Sequence, residues 1–183
     1  MNFLYFFYLH PTGCFIFERS LKQIIMQKIL RIATVVFTCV AIGFLSGMTT
    51  KDSIATWYPT LIKPVFNPPN WIFAPVWSML YIMMGVAGGM VWSRIDTDEF
   101  RVKTAFKLFI AQLALNAAWS YLFFELHNPL LALIEIVLLW LLIFETYTQF
   151  KKIDKVAGML FVPYLAWVSF ATVLNASIWW LNR

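Results

Sequence analysis

The sequence predicts an all-α integral membrane protein, a bundle of five transmembrane helices. Hydrophobic residues make up 61% of its 183 residues and charged residues only 13%, which is more apolar side chain than a soluble core of this size can bury. The apolar residues form long blocks without the alternation that is typical of a membrane barrel strand. Blocks of about 20 residues match the thickness of the hydrocarbon layer as helices, so a helical bundle follows.

Five blocks with little charge give the helices in order. They predict helices at residues 29–48, 72–93, 105–124, 129–149 and 157–181. The third and fourth should be antiparallel neighbours, because the turn between them is short. We therefore expect one five-helix domain at residues 28–183.

Residues 1–27 precede this domain as an N-terminal extension. They are aromatic and apolar, but they lack the basic start and the small-residue cleavage site of a signal peptide. A disordered or interfacial tail explains them best. The alternative is an artefact of the start site, because Met26 lies just before the first helix and could itself begin the chain.

The basic residues predict the orientation. In a five-helix topology, every Lys and Arg except Lys51, Lys63 and Arg183 falls on the side of the N-terminus. The positive-inside rule then places the N-terminus in the cytoplasm, which suits a bacterial inner membrane. This topology also accounts for the net charge of +5, so we expect no nucleic-acid partner.

The segment between the first two helices, residues 57–71, contains four prolines. Proline fixes φ and removes a hydrogen-bond donor, which favours a rigid, extended cover over a flexible linker. A stiff connector whose Trp and Tyr anchor at the lipid headgroups explains the segment equally well.

Aromatic and polar side chains recur at helical spacing on the second, third and fifth predicted helices. Amides that lie deep in hydrocarbon should face the bundle interior, where they meet a partner or a ligand. Interhelical hydrogen bonding explains Asn116 or Asn175 alone, but three helices that each present Trp or Tyr beside a polar group favour a pocket. The side chains are Trp77 and Tyr81, then Gln112, Asn116, Trp119, Ser120 and Phe123, then Tyr164, Trp167, Ala171 and Asn175.

The titratable residues predict no metal site and no required cofactor. Cys14 and Cys39 lack metal-ligand spacing, and His10 and His127 lie outside the helices, which disfavours axial ligation of a haem iron but not binding of a metal-free tetrapyrrole. The isolated Glu135 forms no chain of carboxylates, so a protonated or snorkelling side chain is favoured over a proton relay. Hydrolase, metalloprotease and nucleotide-binding motifs are absent from the sequence, so any catalysis would depend on aromatic residues.

Three segments, in order and at these spacings, resemble the tryptophan-rich sensory protein family, whose relatives include the mitochondrial translocator protein. The resemblance covers about residues 28–183. The segments are Trp57-Tyr58-x4-Lys63-Pro64 with Pro68-Pro69-x-Trp71-x-Phe73-x-Pro75-x-Trp77-x3-Tyr81, then Leu115-Asn116-x2-Trp119-Ser120-x2-Phe123-Phe124, then Pro163-Tyr164-x2-Trp167-x2-Phe170-Ala171-x2-Leu174-Asn175.

The resemblance implies a five-helix bundle, often a homodimer, whose first loop caps a cavity. It implies binding of porphyrins such as protoporphyrin IX, and sensing linked to tetrapyrrole metabolism and stress. Mitochondrial relatives bind cholesterol and synthetic benzodiazepine-type ligands, but the tyrosine of their sterol motif on the last helix is missing after Leu174-Asn175, which leaves general sterol or lipid contact as the expectation. Carried over by motif position, the ligand-binding residues are Trp57, Tyr58, Trp77, Asn116, Trp119, Tyr164, Trp167 and Ala171.

Two other functions are compatible with this resemblance. Some relatives degrade protoporphyrin in light, and Trp77 and Trp167 would then be the catalytic residues. A passive carrier of tetrapyrroles or lipids is the third function, since movement of an apolar ligand needs neither ion coupling nor nucleotide hydrolysis. The small-residue patterns at Gly43-xxx-Gly47, Gly85-xxx-Gly89 and Ala114-xxx-Ala118 indicate close helix contacts, within one chain or between two.

Overall fold

The computed structural model describes residues 11–183, with side chains from Glu18 onward except that of Ser20. Five stretches of helix are long and apolar enough to cross a membrane, which confirms the predicted fold class. The short α5 and the long α6 together form the fifth stretch, at residues Lys155–Leu181. The helices are α1 (Pro11–Thr56), α2 (Asn70–Trp92), α3 (Glu99–Ser120), α4 (Pro129–Ile153), α5 (Lys155–Met159) and α6 (Val162–Leu181).

Polar residues cap the N-termini of α3 and α4, at positions between the apolar blocks of the sequence. The Asp98 carboxylate accepts the backbone N–H of Arg101 at 3.2 Å and so caps α3. Asn128 caps α4 by accepting the N–H of Leu131 at 3.0 Å, and Pro129 occupies the first helical position. These caps fix the turns that reverse the chain at the two ends of the bundle.

Glycines bring α1 and α2 into close contact near Gly85 and Gly89. A Cβ atom at Gly85 or Gly89 would meet the backbone of Val36 or Ile32. Farther along, a Cβ at Gly47 would have no described atom within 4 Å. The two helices therefore cross tightly near Gly85 and Gly89 and separate beyond Gly43.

The bundle has two chemically different ends. At the basic end, which comprises the α2–α3 turn and the α4–α5 junction, Arg31 pairs with Asp96 at 3.2 Å and Arg94 with Asp154 at 3.6 Å. At the loop end, which comprises residues 57–69 and the α3–α4 turn, the Asn182 side chain holds the proline-rich segment. All described cations except Lys51, Lys63 and Arg183 lie toward the basic end or on the part of α1 that precedes it.

A solid aromatic core fills the half of the bundle nearer the basic end. Phe150 lies with its ring centroid 5.2 Å from that of Phe161, and Phe109 lies 5.6 Å from Phe150. All three side chains are buried. Because close packing leaves little space between these rings, the open volume inside the bundle lies in the half nearer the loop end.

The structure differs from the sequence-based expectations at α1, at α3 and at Glu135. α3 begins at Glu99, six residues before the predicted start at residue 105, because Asp98 caps it there. α1 is longer than predicted at both ends, and it begins within the predicted N-terminal extension, so residues 11–27 are helical and not irregular. Residues 1–10 lie outside the described residues, and the domain division at residue 27 stays a prediction. Glu135 is only 7% exposed and neither carboxylate oxygen has a hydrogen-bond partner in the described part, which excludes the snorkelling alternative.

Candidate ligand-binding cavity

A cavity of about 440 Å³ lies in the loop-end half of the bundle. Its walls come from α1, α2, α3, α6 and the turn that follows α3, and Tyr58 of the proline-rich segment lies over it. The volume is in the range of small-molecule sites, which are roughly 300–1,000 Å³, and the lining is mostly apolar with a few polar groups, as such sites require.

Small residues on α1 create the space. Gly43, Ser46, Gly47 and Thr50 line one wall, and none of them projects a large side chain inward. Their positions are about one helical turn apart, so they share a face. In the Gly43-xxx-Gly47 pattern, Gly43 thus lies in close contact with the Tyr81 ring, whereas Gly47 faces open volume.

Amide and phenol groups form the floor of the cavity. Asn116, which is 3% exposed, accepts a hydrogen bond from the Tyr81 hydroxyl and donates one to the Tyr164 hydroxyl at 2.8 Å. The Tyr164 hydroxyl in turn donates to Gln112 Oε1 at 3.1 Å. Asn116 therefore bonds across helices, as expected for a lone amide, and also borders the cavity.

A second amide supports the aromatic wall. Trp119 Nε1 donates to Asn175 Oδ1 at 3.1 Å, and Asn175 donates to the carbonyl of Pro129 at 2.8 Å. The Trp119 indole stacks on Phe123 with 5.2 Å between ring centroids. Phe123 belongs to the π-helical turn Tyr121–Glu125, so this widened turn presents its ring to the cavity.

Two tryptophans from different helices complete the wall. Trp77 on α2 meets Tyr164 edge-to-face at 6.3 Å, and Trp167 on α6 meets Phe73 in the same way at 6.0 Å. Among the described residues, the Trp167 Nε1 is buried without a hydrogen-bond partner, and Trp77 makes no side-chain hydrogen bond. Their indole groups contribute apolar surface and are not needed for the hydrogen-bond network of the fold.

The proline-rich segment is held in place by side-chain hydrogen bonds. The Tyr58 hydroxyl donates to Asn67 Oδ1 at 2.8 Å, within the segment. Asn182, just after α6, accepts the N–H of Ile62 at 2.9 Å and donates to the carbonyl of Ile62 at 2.9 Å. The segment is a fixed cover, as one of the two interpretations predicted, while the 73% exposed Trp71 suits the headgroup anchoring of the other.

Burial also affects the ionisation of Tyr58. Its ring is buried against the cavity, and this desolvation raises the pKa of the Tyr58 phenol, with the hydrogen bond to Asn67 as a smaller opposing influence. The phenol over the cavity therefore stays neutral to a higher pH than that of an exposed tyrosine.

The cavity opens sideways between α1 and α2. Phe44 and Val40 on α1 and Ile82 on α2 border it and are also 68%, 41% and 47% exposed. These residues lie within the membrane-spanning stretches. The opening therefore faces the depth of the lipid and not bulk water.

The structure brings together all of the predicted ligand-binding residues except two. Tyr58, Trp77, Asn116, Trp119, Trp167 and Ala171 line the cavity. Trp57 instead stacks on His127, with 4.3 Å between ring centroids, and Tyr164 lies beneath the floor. That any of these residues binds a ligand stays a prediction.

Sequence reasoning missed the contribution of α1. Gly43, Ser46, Gly47 and Thr50 border the cavity, and the only signal of it was the small-residue pattern, which was interpreted as helix contact. Tyr81 and Asn175 lie on the predicted polar faces but outside the set of ligand-binding residues that the family motif predicts. Both border the cavity.

Comparison with known proteins decides the family. Residues 35–181 match the model of the TspO/MBR family, and this range includes every residue that lines the cavity. The chain belongs to the TspO/MBR family. It is similar over 160 residues, at 42% identity, to the tryptophan-rich protein TspO of Chlorobaculum tepidum, a match that covers 85% of this chain and 98% of the relative.

Relatives from other domains of life are nearly as similar to this family member. The tryptophan-rich protein TspO of Archaeoglobus fulgidus is 39% identical over 85% of this chain and 99% of its own. The translocator protein of Bos taurus is 36% identical over 77% of this chain and 83% of its own. The family match therefore spans the part of the chain that holds the cavity.

Proposed function

We propose that this TspO/MBR-family membrane protein is a receptor that binds protoporphyrin IX and related planar, apolar ligands, and that it acts as a sensor in tetrapyrrole metabolism and stress. The observation that carries the proposal is the cavity itself, in which tryptophans from three helices surround one apolar space. Relatives bear the names tryptophan-rich sensory protein and translocator protein, which agree with a membrane protein that senses or moves a ligand.

The chemistry of a porphyrin suits this cavity. Its two apolar faces can stack on indole and phenol rings, which prefer offset or edge-to-face contact. Its carboxylates at one edge would meet Lys51 or Lys63 at the loop end, and Lys63 Nζ already lies 4.8 Å from the centroid of the Tyr58 ring. The sideways opening allows an apolar ligand to enter from the bilayer and part of a large ligand to extend into lipid.

A porphyrin titration tests the proposal. Protoporphyrin IX is added in the dark to detergent-purified protein, and the shift of the porphyrin absorbance gives Kd. We expect Trp77→Phe/Trp167→Phe to raise Kd at least several-fold, because two stacking partners worth roughly 0.5–1.5 kcal/mol each are reduced.

The matched control replaces two tryptophans outside the cavity. Trp71 and Trp180 are 73% and 57% exposed, so Trp71→Phe/Trp180→Phe should leave Kd unchanged. Equal Kd values for the two double variants would show that the porphyrin does not bind in this cavity. If the natural sequence shows no saturable binding, the porphyrin function itself is wrong.

A second function is porphyrin breakdown driven by light, with dioxygen as the oxidant. It is favoured by the position of Trp77 and Trp167, which border the same cavity on two helices and would contact a bound porphyrin. Illumination of the saturated complex, with absorbance recorded over time, separates the two functions. Constant spectra favour a sensor or carrier, and a product spectrum that forms more slowly in Trp167→Phe, with dark binding retained, favours the enzyme.

The third function is passive transfer of tetrapyrroles or lipids between the bilayer and the cavity. The sideways opening between α1 and α2 supports it, because such a ligand need not pass through water. Porphyrin movement in proteoliposomes that exceeds movement in empty vesicles would establish it. A rate equal to that of empty vesicles would exclude it.

For the membrane and orientation, we propose a bacterial inner membrane with the basic end in the cytoplasm, and a homodimer as the assembled form. Cysteine labelling in intact cells tests the orientation, with Cys14→Ser and Cys39→Ala as the background. Lys51→Cys should react with an impermeant maleimide, and Lys155→Cys should not; the reverse result would mean that the topology is inverted.

The homodimer is tested by light scattering, which gives the mass of the protein particle after correction for bound detergent.

A further inference from the structure

A second crevice lies at the basic end, on the opposite side of the bundle from the cavity. It has a volume of about 330 Å³ and is lined by Arg94, Thr97, Asp98, Arg101, Lys152 and Ile153. A phosphate group with its ester substituents is therefore small enough to enter it.

The chain builds this crevice from two separate turns. Arg94 follows α2 and pairs with Asp154 at 3.6 Å, and Asp154 also caps α5 by accepting the N–H of Val156 at 2.9 Å. Arg101 is fixed on the first turn of α3 by Asp98, with 3.2 Å between Nε and the carboxylate. Both guanidinium groups are thus positioned by the fold before any ligand binds.

The crevice keeps an excess of positive charge after these pairs form. Its lining contains three cations and one carboxylate, and Asp154 adds a second carboxylate through its pair with Arg94, so the excess is one positive charge. Lys152 has no ion-pair partner among residues 18–183 whose side chains are described. A guanidinium has five N–H donors, and each of these arginines uses one nitrogen in its ion pair, so further donors face outward at 54% and 68% side-chain exposure.

The depth of the crevice points to a lipid. Its residues lie where the spans end, since one span ends at Trp92, the next begins at Glu99 and a third ends at Ile153. This is the level of the headgroups. Phe100 is 82% exposed and Val156 is 60% exposed, which gives apolar surface beside the cations. The acyl chains of a phospholipid can pack on this apolar surface, whereas a free inorganic anion makes no favourable apolar contact with it.

We infer that this crevice binds the phosphate headgroup of an anionic phospholipid, with Arg94, Arg101 and Lys152 as its ligands. Arginine presents its N–H groups in the geometry that suits phosphate oxygens, and lysine adds a point charge. Basic pockets between membrane helices are general sites for anionic headgroups. The site is independent of the porphyrin function, because it lies at the other end of the bundle.

Native mass spectrometry of the full chain tests this inference. The protein is released from detergent with equimolar dioleoyl phosphatidylglycerol and dioleoyl phosphatidylcholine, and the bound lipid is counted. We expect one phosphatidylglycerol to be retained in preference to phosphatidylcholine. Arg101→Gln/Lys152→Gln should lower this retention by about 25-fold, because each of the two cations contributes about fivefold when it lies against the headgroup.

The control variant removes the same charge at the same end. Lys107 and Lys155 are exposed and lie outside the crevice. Neither would lie against a headgroup bound there, so Lys107→Gln/Lys155→Gln should retain several-fold more phosphatidylglycerol than Arg101→Gln/Lys152→Gln. Equal loss in both variants would overturn the site, because general charge would explain it. Equal retention of the two lipids would overturn it as well, and so would displacement by an equal concentration of inorganic phosphate, which would make free phosphate the ligand.

Arg101 and Lys152 are exposed, so the variant should fold. Unchanged circular dichroism and unchanged porphyrin affinity in the same preparations check this.

Discussion

Asn116 shows how one side chain can serve both the fold and the cavity. It joins Tyr81 on α2 to Tyr164 on α6 from its place on α3, and all three residues are buried. A buried polar group that loses its partner keeps the cost of its desolvation, about 1–3 kcal/mol. The amide therefore stabilises the floor by satisfying two hydroxyl groups at once.

We predict that Asn116→Ala lowers the free energy of unfolding by about 2–4 kcal/mol, since it leaves two buried phenols with fewer partners. Thermal unfolding in detergent measures the change. Asn70→Ala is the control, because Asn70 borders the cavity but makes no side-chain hydrogen bond in the described part. A control variant as unstable as Asn116→Ala would contradict this assignment.

The Tyr58 phenol predicts a pH effect at the loop end. Burial raises its pKa above the ordinary value of about 10. The neutral phenol is thus favoured by folding, so its contribution to stability is present below that ordinary value and is lost as the pH rises through the folded pKa. The phenolate absorbance of the natural protein minus that of Tyr58→Phe gives the titration of Tyr58. We expect its midpoint to lie above the ordinary pKa of about 10, and a midpoint at or below that value would contradict the burial.

At the scale of the elements, the α1–α2 pair decides where open volume lies. The helices touch where Gly85 and Gly89 meet the backbone of α1 and separate where Gly47 faces empty space. The same pair of helices therefore supplies a tight crossing near one end and the cavity with its sideways opening near the other.

We predict opposite effects of adding one methyl group at two glycines. Gly85→Ala forces the helices apart and should destabilise by about 1–3 kcal/mol. Gly47→Ala meets no described atom within 4 Å and should be neutral, or stabilising by up to about 1 kcal/mol through helix propensity. Thermal unfolding of both variants measures this, and similar losses would mean that α1 and α2 do not separate as described.

The cover and α6 act as a pair because Asn182 bonds both backbone groups of Ile62. We predict that Asn182→Ala speeds dissociation of bound protoporphyrin IX by about five- to 150-fold, the equivalent of two hydrogen bonds of roughly 0.5–1.5 kcal/mol each. Stopped-flow dilution of the complex measures the rate. Arg183→Ala is the neighbouring control, and an equal rate in both variants would show that the cover does not limit release.

At the scale of the whole molecule, α1 is longer than the membrane requires. Its 46 residues extend about 69 Å at 1.5 Å per residue, against a hydrocarbon layer of about 30 Å. Residues 21–30 are exposed, and the first close contact with α2 is at Arg31 and Ile32. The bundle is therefore complete without the first part of this helix.

Removal of residues 1–25, with Met26 as the first residue, should leave the fold and the porphyrin affinity unchanged and move Tm by less than about 2 °C. Removal of residues 1–36 deletes Ile32 and Val36 and should abolish the folded bundle. Loss of the fold in the shorter deletion would move the domain boundary toward the N-terminus.

The sequence by itself determined the membrane class, the five spans, the turns and most of the cavity's aromatic residues. Those features follow from local properties: apolar blocks of membrane length, capping residues such as Asn128, and Trp, Tyr and Asn on one face of a helix. Family membership was also readable, because the spaced motifs from Trp57 to Asn175 are chemically distinctive.

Only the tertiary structure decided where space is left between the helices. Gly43 and Gly47 follow the same local pattern, yet one meets the Tyr81 ring and the other meets no described atom, because the outcome depends on the angle at which α1 crosses α2. The adjacent Trp57 and Tyr58 likewise diverge, one toward His127 and the other toward the cavity. A cavity is an absence of atoms, and its place is set by how whole helices pack and not by any one residue.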